Sequence, residues 1–169
     1  MDEIVNKVAS ANLLNVDLED YYTKGTRSII DIKDQLFQGL ILKEKDFRQF
    51  IDTHDWSQYQ DHFVGIHCST DAIIPVWAFM LIASRLEPYA AKMVFGDREA
   101  LETVLYQEAL SKLDLEPFKD QRIIIKGCGN LPVPRSAYLE LIRIMRPVAK
   151  SIMYGEACST VPIFKQAKG

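Results

Sequence analysis

Long apolar runs are missing from this sequence of 169 residues: the longest uncharged stretch, Ala72 to Ser84, spans 13 positions. A membrane-crossing helix needs roughly 18, so none is expected. Cysteine is scarce, with three residues, an odd number that excludes a closed disulfide framework and leaves free thiols, metal ligands or buried packing. There is no Cys-x-x-Cys pair, and the spacing of Cys68, Cys128 and Cys158 matches no zinc ribbon. Eight glycines and seven prolines are too few for a fibrous or low-complexity chain, and they form neither a Walker nor a dinucleotide-binding pattern. A basic surplus is also lacking. Twenty Lys/Arg stand against 23 Asp/Glu, a net charge of −3, which argues against nucleic acid as a partner because counterion release requires concentrated positive charge. The opening Met-Asp-Glu-Ile-Val-Asn-Lys has no basic segment leading into an apolar one, so no leader and a cytoplasmic location are expected.

What is present is an ordinary globular composition, 48% hydrophobic and 25% charged. At about 150 residues per domain one domain is expected over 1–169. A chain of this size buries enough surface to fold without metal or disulfide. Charge is unevenly placed, since the segment from Gln121 to Gly169 is basic while the rest is acidic. Mutual neutralisation of the two accounts for this without an anionic partner.

From His62 onward, short apolar runs alternate with helical periods, as in strands feeding crossover helices. His62–Cys68, Lys92–Gly96 and Gln121–Gly127 read as strands, and Lys150–Tyr154 as a fourth. Pro75 and Pro134 open helices, where a missing N–H is tolerated, and Asp97 caps another. The stretch Val76–Ala83 is apolar on every side, which predicts a helix buried in the fold or at an interface. Crossovers of this length imply parallel strands. The expected fold is therefore α/β, an open, three-layer-like sheet over 61–169. An N-terminal α+β extension, 1–60, would cover it, with a strand at Ser28–Lys33, a helix from Glu44, and a strand or buried turn at Leu40–Leu42. A weak internal echo accompanies this order: Cys68-Ser-Thr-Asp-Ala-Ile-Ile-Pro75 and Cys128-Gly-Asn-Leu-Pro-Val-Pro134 both run from a strand through Cys and a loop into a helix, and Cys158-Ser-Thr-Val-Pro162 repeats the beginning.

Ligands of open parallel sheets bind beyond the carboxyl ends of the strands. Every parallel strand ends on the same edge, so Cys68 and Cys128 are expected to meet there with Cys158 joining them, in polar loops rather than in the core where structural cysteines sit. Thiolates so grouped, with Asp71 as an oxygen ligand, would suit zinc or iron. A reactive thiol without metal is the alternative, with Cys128 or Cys68 carrying sulfur or an acyl group. A phosphatase is excluded, because six residues rather than five separate Cys128 from Arg135, and Pro132 and Pro134 remove amide donors. Asp52, His54 and Asp55 resemble a metal cluster but lie at a helix end, and His54 extends the apolar face of Phe47 and Phe50. His67 alternates away from Cys68 along its strand and makes a poor fourth ligand.

Leu18-Glu-Asp-Tyr-Tyr22, Ile32-Lys-Asp34 with Leu36-Phe-Gln-Gly39, His54-Asp-Trp-Ser57, Lys126-Gly-Cys-Gly129 and Gly155-Glu-Ala-Cys-Ser-Thr160 together resemble the bacterial domain of unknown function 2480 family, across nearly the whole chain. The resemblance brings no catalytic residues. It implies a metal- or sulfur-handling accessory of iron–sulfur cluster metabolism, with assembly proteins as partners.

Overall fold

The computed structural model describes residues 13–127, 129–156 and 158–167. The fold is α/β, and its strands form two sheets rather than the expected one. The chain divides into two compact units, one of residues 24–104 and one of residues 1–23 with 105–169. The first is inserted into the second along the sequence. We call them the inserted and the host unit.

In the inserted unit, β2 (Arg27–Asp31), β3 (Phe63–His67) and β4 (Lys92–Phe95) pair in parallel in that order. Helix α1 (Glu44–Thr53) lies between β2 and β3 in sequence, and α2 (Val76–Leu86) between β3 and β4. Ile30, Val64 and Ile66 alternate with residues of the other sheet face and are buried with Phe47, Ile51, Ala78, Ile82 and Leu86. Thus the segment before residue 60 supplies a strand and a helix to this sheet instead of covering a separate one. The Leu40–Leu42 segment makes a single bridge, Phe37 to Ile41, and Leu40 and Ile41 are exposed.

In the host unit, β1 (Leu13–Val16), β5 (Arg122–Ile125) and β6 (Ser151–Glu156) pair in parallel, and β7 (Ser159–Lys165) runs antiparallel to β6. Helix α4 (Arg135–Met145) joins β5 to β6, while α3 (Arg98–Ser111) begins in the inserted unit and ends in the host. Val16, Ile123, Ile125, Leu141, Met145 and Ile152 are buried together with Tyr106 and Leu110 of α3. Neither β1 nor β7 is expected from the sequence pattern. No described helix is long and apolar enough to cross a membrane.

The two units are copies of one plan. A shift of 59 positions carries Phe63 paired with Lys92 onto Arg122 paired with Ser151, with the same register throughout. It also carries Phe47 onto Tyr106, Ile82 onto Leu141 and Leu86 onto Met145, all buried, and Asp61 onto Asp120 and Gly96 onto Gly155, all at positive φ. The first strands correspond too: Val16 pairs with Ile125 as Ile30 pairs with Ile66. Asp17 and Asp31 then cap the same short 3-10 turn. In this alignment Cys68 falls on Gly127, so the two halves of the echo are offset by one position and their thiols are not equivalent.

Candidate functional site

Because β3 and β5 belong to different sheets, the shared-edge argument does not join Cys68 to the other two cysteines. Each unit has its own carboxyl edge. Among the described residues, no group of three or more His, Cys, Asp and Glu is placed to hold a metal ion.

In the inserted unit a cavity of about 490 Å³ opens beyond β3 and β4, and its lining includes His67, Cys68, Thr70, Phe79, Phe95 and Asp97. Cys68 is half-buried, and its thiol donates to the Thr70 carbonyl at 3.7 Å. His67 and Cys68 both line this space, while Cys68 also packs against the cluster of Val64 and Ile66. The Asp31 carboxylate faces His67 Nε2 at 3.9 Å and accepts from the backbone N–H groups of Ser69 and Lys33. Burial alone would raise the Asp31 pKa, but these hydrogen bonds, the Ser69 side chain and nearby His67 hold it below the usual carboxylate value. Asp97 closes the cavity and accepts from Ala100 N–H at the start of α3. Asp71 is exposed and is not among the residues that line this cavity, although Thr70 and Ala72 on either side of it are.

In the host unit, the edge of β1, β5 and β6 gathers three of the sequence motifs. Lys126 Nζ binds Asp17 at 2.9 Å. That hydrogen bond holds the Asp17 pKa down and raises that of Lys126, with Glu19 and Glu156 adding to the latter. Glu19 accepts from Leu131 N–H at 2.6 Å, and the Tyr138 and Tyr154 hydroxyls donate to the Gly127 carbonyl at 3.4 and 3.3 Å. This explains both glycines of Lys126-Gly-Cys-Gly129. A Cβ on Gly127 would stand 2.7 Å from the Tyr154 hydroxyl, and one on Gly129 would run into the Glu19 carboxylate. Cys128 lies outside the described residues. Cys158 is exposed in the turn between β6 and β7, and the strands that lead to these two cysteines are adjacent. Arg135, Tyr138, Tyr154 and Ile163 line a cavity of about 380 Å³ nearby.

The remaining candidates are structural. Asp52 pairs with Arg85 at 2.7 Å, Asp55 caps the turn at Trp56–Tyr59, and His54 bonds the Tyr59 hydroxyl within a cluster that includes Phe50 and Trp56. Sequence reasoning missed Asp17, Asp31 and the aromatic cavity walls. A signal was available in the paired Val-Asp-Leu at 16–18 and Ile-Asp-Ile at 30–32, where a polar residue between two buried ones marks a strand ending in a cap.

No curated protein and no solved structure matches the chain. A family model described as Protein of unknown function (DUF2480) matches residues 2–166, and the chain belongs to that family.

Proposed function

We propose that the protein is a cysteine-dependent sulfur- or acyl-transfer protein that works through Cys68. The observation that carries this reading is the placement of a half-buried thiol in a cavity of about 490 Å³, lined also by His67, at the carboxyl edge of parallel strands. Sulfur or acyl transfer asks for a nucleophilic thiolate in a shaped site, and the cavity provides the room. In the proposed step His67 accepts the thiol proton, and the thiolate attacks the terminal sulfur or acyl carbon of a donor thiol compound. The donor thiolate leaves and takes up a proton. Cys68 then holds a persulfide or thioester until a second nucleophile removes the group.

Intact-protein and peptide mass spectrometry after incubation with a small persulfide and, separately, a small thioester tests this. The expected result is one added sulfur or acyl group on Cys68, lost in Cys68→Ser and slowed at least tenfold in His67→Gln. Modification confined to exposed Cys158 would overturn the reading.

A second reading, a zinc or iron ion held by Cys128 and Cys158, draws on the adjacency of β5 and β6. Against it, Asp17 and Glu19 are already committed to Lys126 and to Leu131 N–H. Metal analysis of protein purified without oxygen tests it: about one equivalent, lost in Cys158→Ser, would support it.

A further inference from the structure

The two copies of the plan line one corresponding space with different chemistry. In the inserted unit, Ile66, Val76, Phe79, Ala83 and Phe95 line a groove of about 230 Å³ whose lining is apolar throughout. The shift of 59 positions places Ile125, Arg135, Tyr138, Ile142 and Tyr154 of the host unit at the same points, around its cavity of about 380 Å³. The plan itself therefore requires only apolar groups here. The host unit keeps two aliphatic positions, carries phenols where the other copy has phenyl rings, and sets a guanidinium where the other has Val76.

That guanidinium is uncommitted: among the described residues, Arg135 has no side-chain ion pair or hydrogen bond. By contrast, Lys126 is bonded to Asp17 and Arg143 to Glu140. No acidic residue is among the described residues that line the cavity. The Tyr138 and Tyr154 hydroxyls both turn to the Gly127 carbonyl, and their rings meet edge to face at 6.0 Å, which fixes two aromatic walls. A further wall comes from an irregularity. Across β6 and β7, Ile152 pairs with Phe164 and Met153 with Pro162, so Ile163 is an extra residue with no opposite. A bulge of this kind bends the strand and re-aims a side chain. Phe164 lies under Arg146 at the end of α4, and Ile163 lines the cavity with Tyr138 and Ile142 of the same helix. Regular alternation sends neighbours to opposite faces; the bulge lets both serve α4.

We propose that this cavity binds a small carboxylate with an apolar body, its charged end on Arg135 and its body among Tyr138, Ile142, Tyr154 and Ile163. Charge and shape select this class. The planar fork of an arginine matches a carboxylate through two parallel hydrogen bonds, and one unpaired cation balances one negative charge. Phosphate fits poorly, because Pro132 and Pro134 lead into α4 and remove amide donors with which a helix start would hold it. The volume lies in the lower part of the roughly 300–1,000 Å³ usual for small-molecule sites, which suits a single ring or a short chain. None of these residues takes part in the transfer proposed for Cys68, so the site stands or falls independently of that reading.

Isothermal titration calorimetry on the full chain with phenylacetate and, separately, hexanoate tests the proposal. At least one should bind saturably, one per chain, with Kd near or below about 1 mM. Phenylacetamide and inorganic phosphate should bind at least tenfold more weakly. Arg135→Gln should weaken carboxylate binding at least tenfold with unchanged circular dichroism, since the side chain is exposed. Lys150→Gln, which removes an exposed cation outside the cavity lining, should leave the affinity unchanged. Absence of saturable binding by both carboxylates would overturn the proposal. Binding that Arg135→Gln leaves intact, or that phenylacetamide or phosphate matches, would overturn it as well.

Discussion

The inserted unit holds a polar pair that composition gives no hint of. Arg27 and Glu102 meet through two hydrogen bonds of 2.6 and 3.1 Å, with side chains 2% and 4% exposed. Arg27 also donates to the Gly25 carbonyl. The two residues lie far apart in sequence and neither is unusual for its local pattern, so no periodicity could couple them. Removing one partner strands the other charge in a dry setting, which costs about 3–5 kcal/mol, while replacing both with apolar groups of similar volume is often neutral. Glu102→Ala should therefore lower the unfolding free energy by about 3–5 kcal/mol in urea denaturation. The double variant Arg27→Met with Glu102→Leu should recover most of that loss. Equal losses in the two would show that the pair contributes packing rather than charge compensation. Cys68 was readable as a candidate because its residue type and its place after a strand are both visible in sequence. That Cys68 and Cys158 follow strands of different sheets was not, because sheet membership depends on pairing partners rather than on local pattern.

Element by element, the parallel strands β3, β4 and β5 and the four described α-helices were legible, since each carries a run or period of apolar residues between clear breaks. Strand β1 was not, because Leu13-Leu-Asn-Val16 is short and follows a mixed segment. Strand β7 was obscured by Pro162, which sits where the β6–β7 register shifts and so does not break the pairing, consistent with proline at bulges. The ends of β1 and β2 illustrate how a single residue joins two elements. Asp17 and Asp31 each terminate a strand and cap the next turn, and both carboxyls are held below the ordinary value of 3.8. A folded-state pKa below the unfolded one means that the ionised form is favoured by folding. The contribution is complete above pH 3.8 and is lost as pH falls through the lowered folded values. Asp17→Asn and Asp31→Asn should consequently reduce stability at neutral pH and flatten its fall on the acid side, each more weakly than wild type responds. Denaturation midpoints measured from neutral pH down through that range would show it, and acid limbs parallel to wild type would count against it.

For the molecule as a whole, the sequence conceals a duplication. Positions that correspond retain size and backbone demand more than identity: Phe47 and Tyr106 fill the same place, as do Ile82 and Leu141, while Pro75 and Pro134 both open helices. Substitution among similar shapes preserves packing and erases the repeat from view, and the insertion of one copy within the other breaks the constant offset between Asp31 and Phe47. The arrangement has an energetic consequence. With the inserted unit folded, the ends at residues 24 and 104 are held at a fixed separation. With it unfolded, the host must close residues 24–104 as a flexible loop, at a cost of roughly 4 kcal/mol from (3/2)RT ln n. Unfolding the host imposes no such loop on the inserted unit, so coupling between the two is unequal. Ile82→Ala and Leu141→Ala each empty a fully buried site and should cost about 2–5 kcal/mol locally. In amide hydrogen exchange, Ile82→Ala should speed opening of β3 and, to a smaller extent, of β5 and β6. Leu141→Ala should speed β5 and β6 and leave β3 close to wild type. Equal acceleration of both sheets by either variant would mean that the chain opens as one cooperative body and that the loop term has no influence.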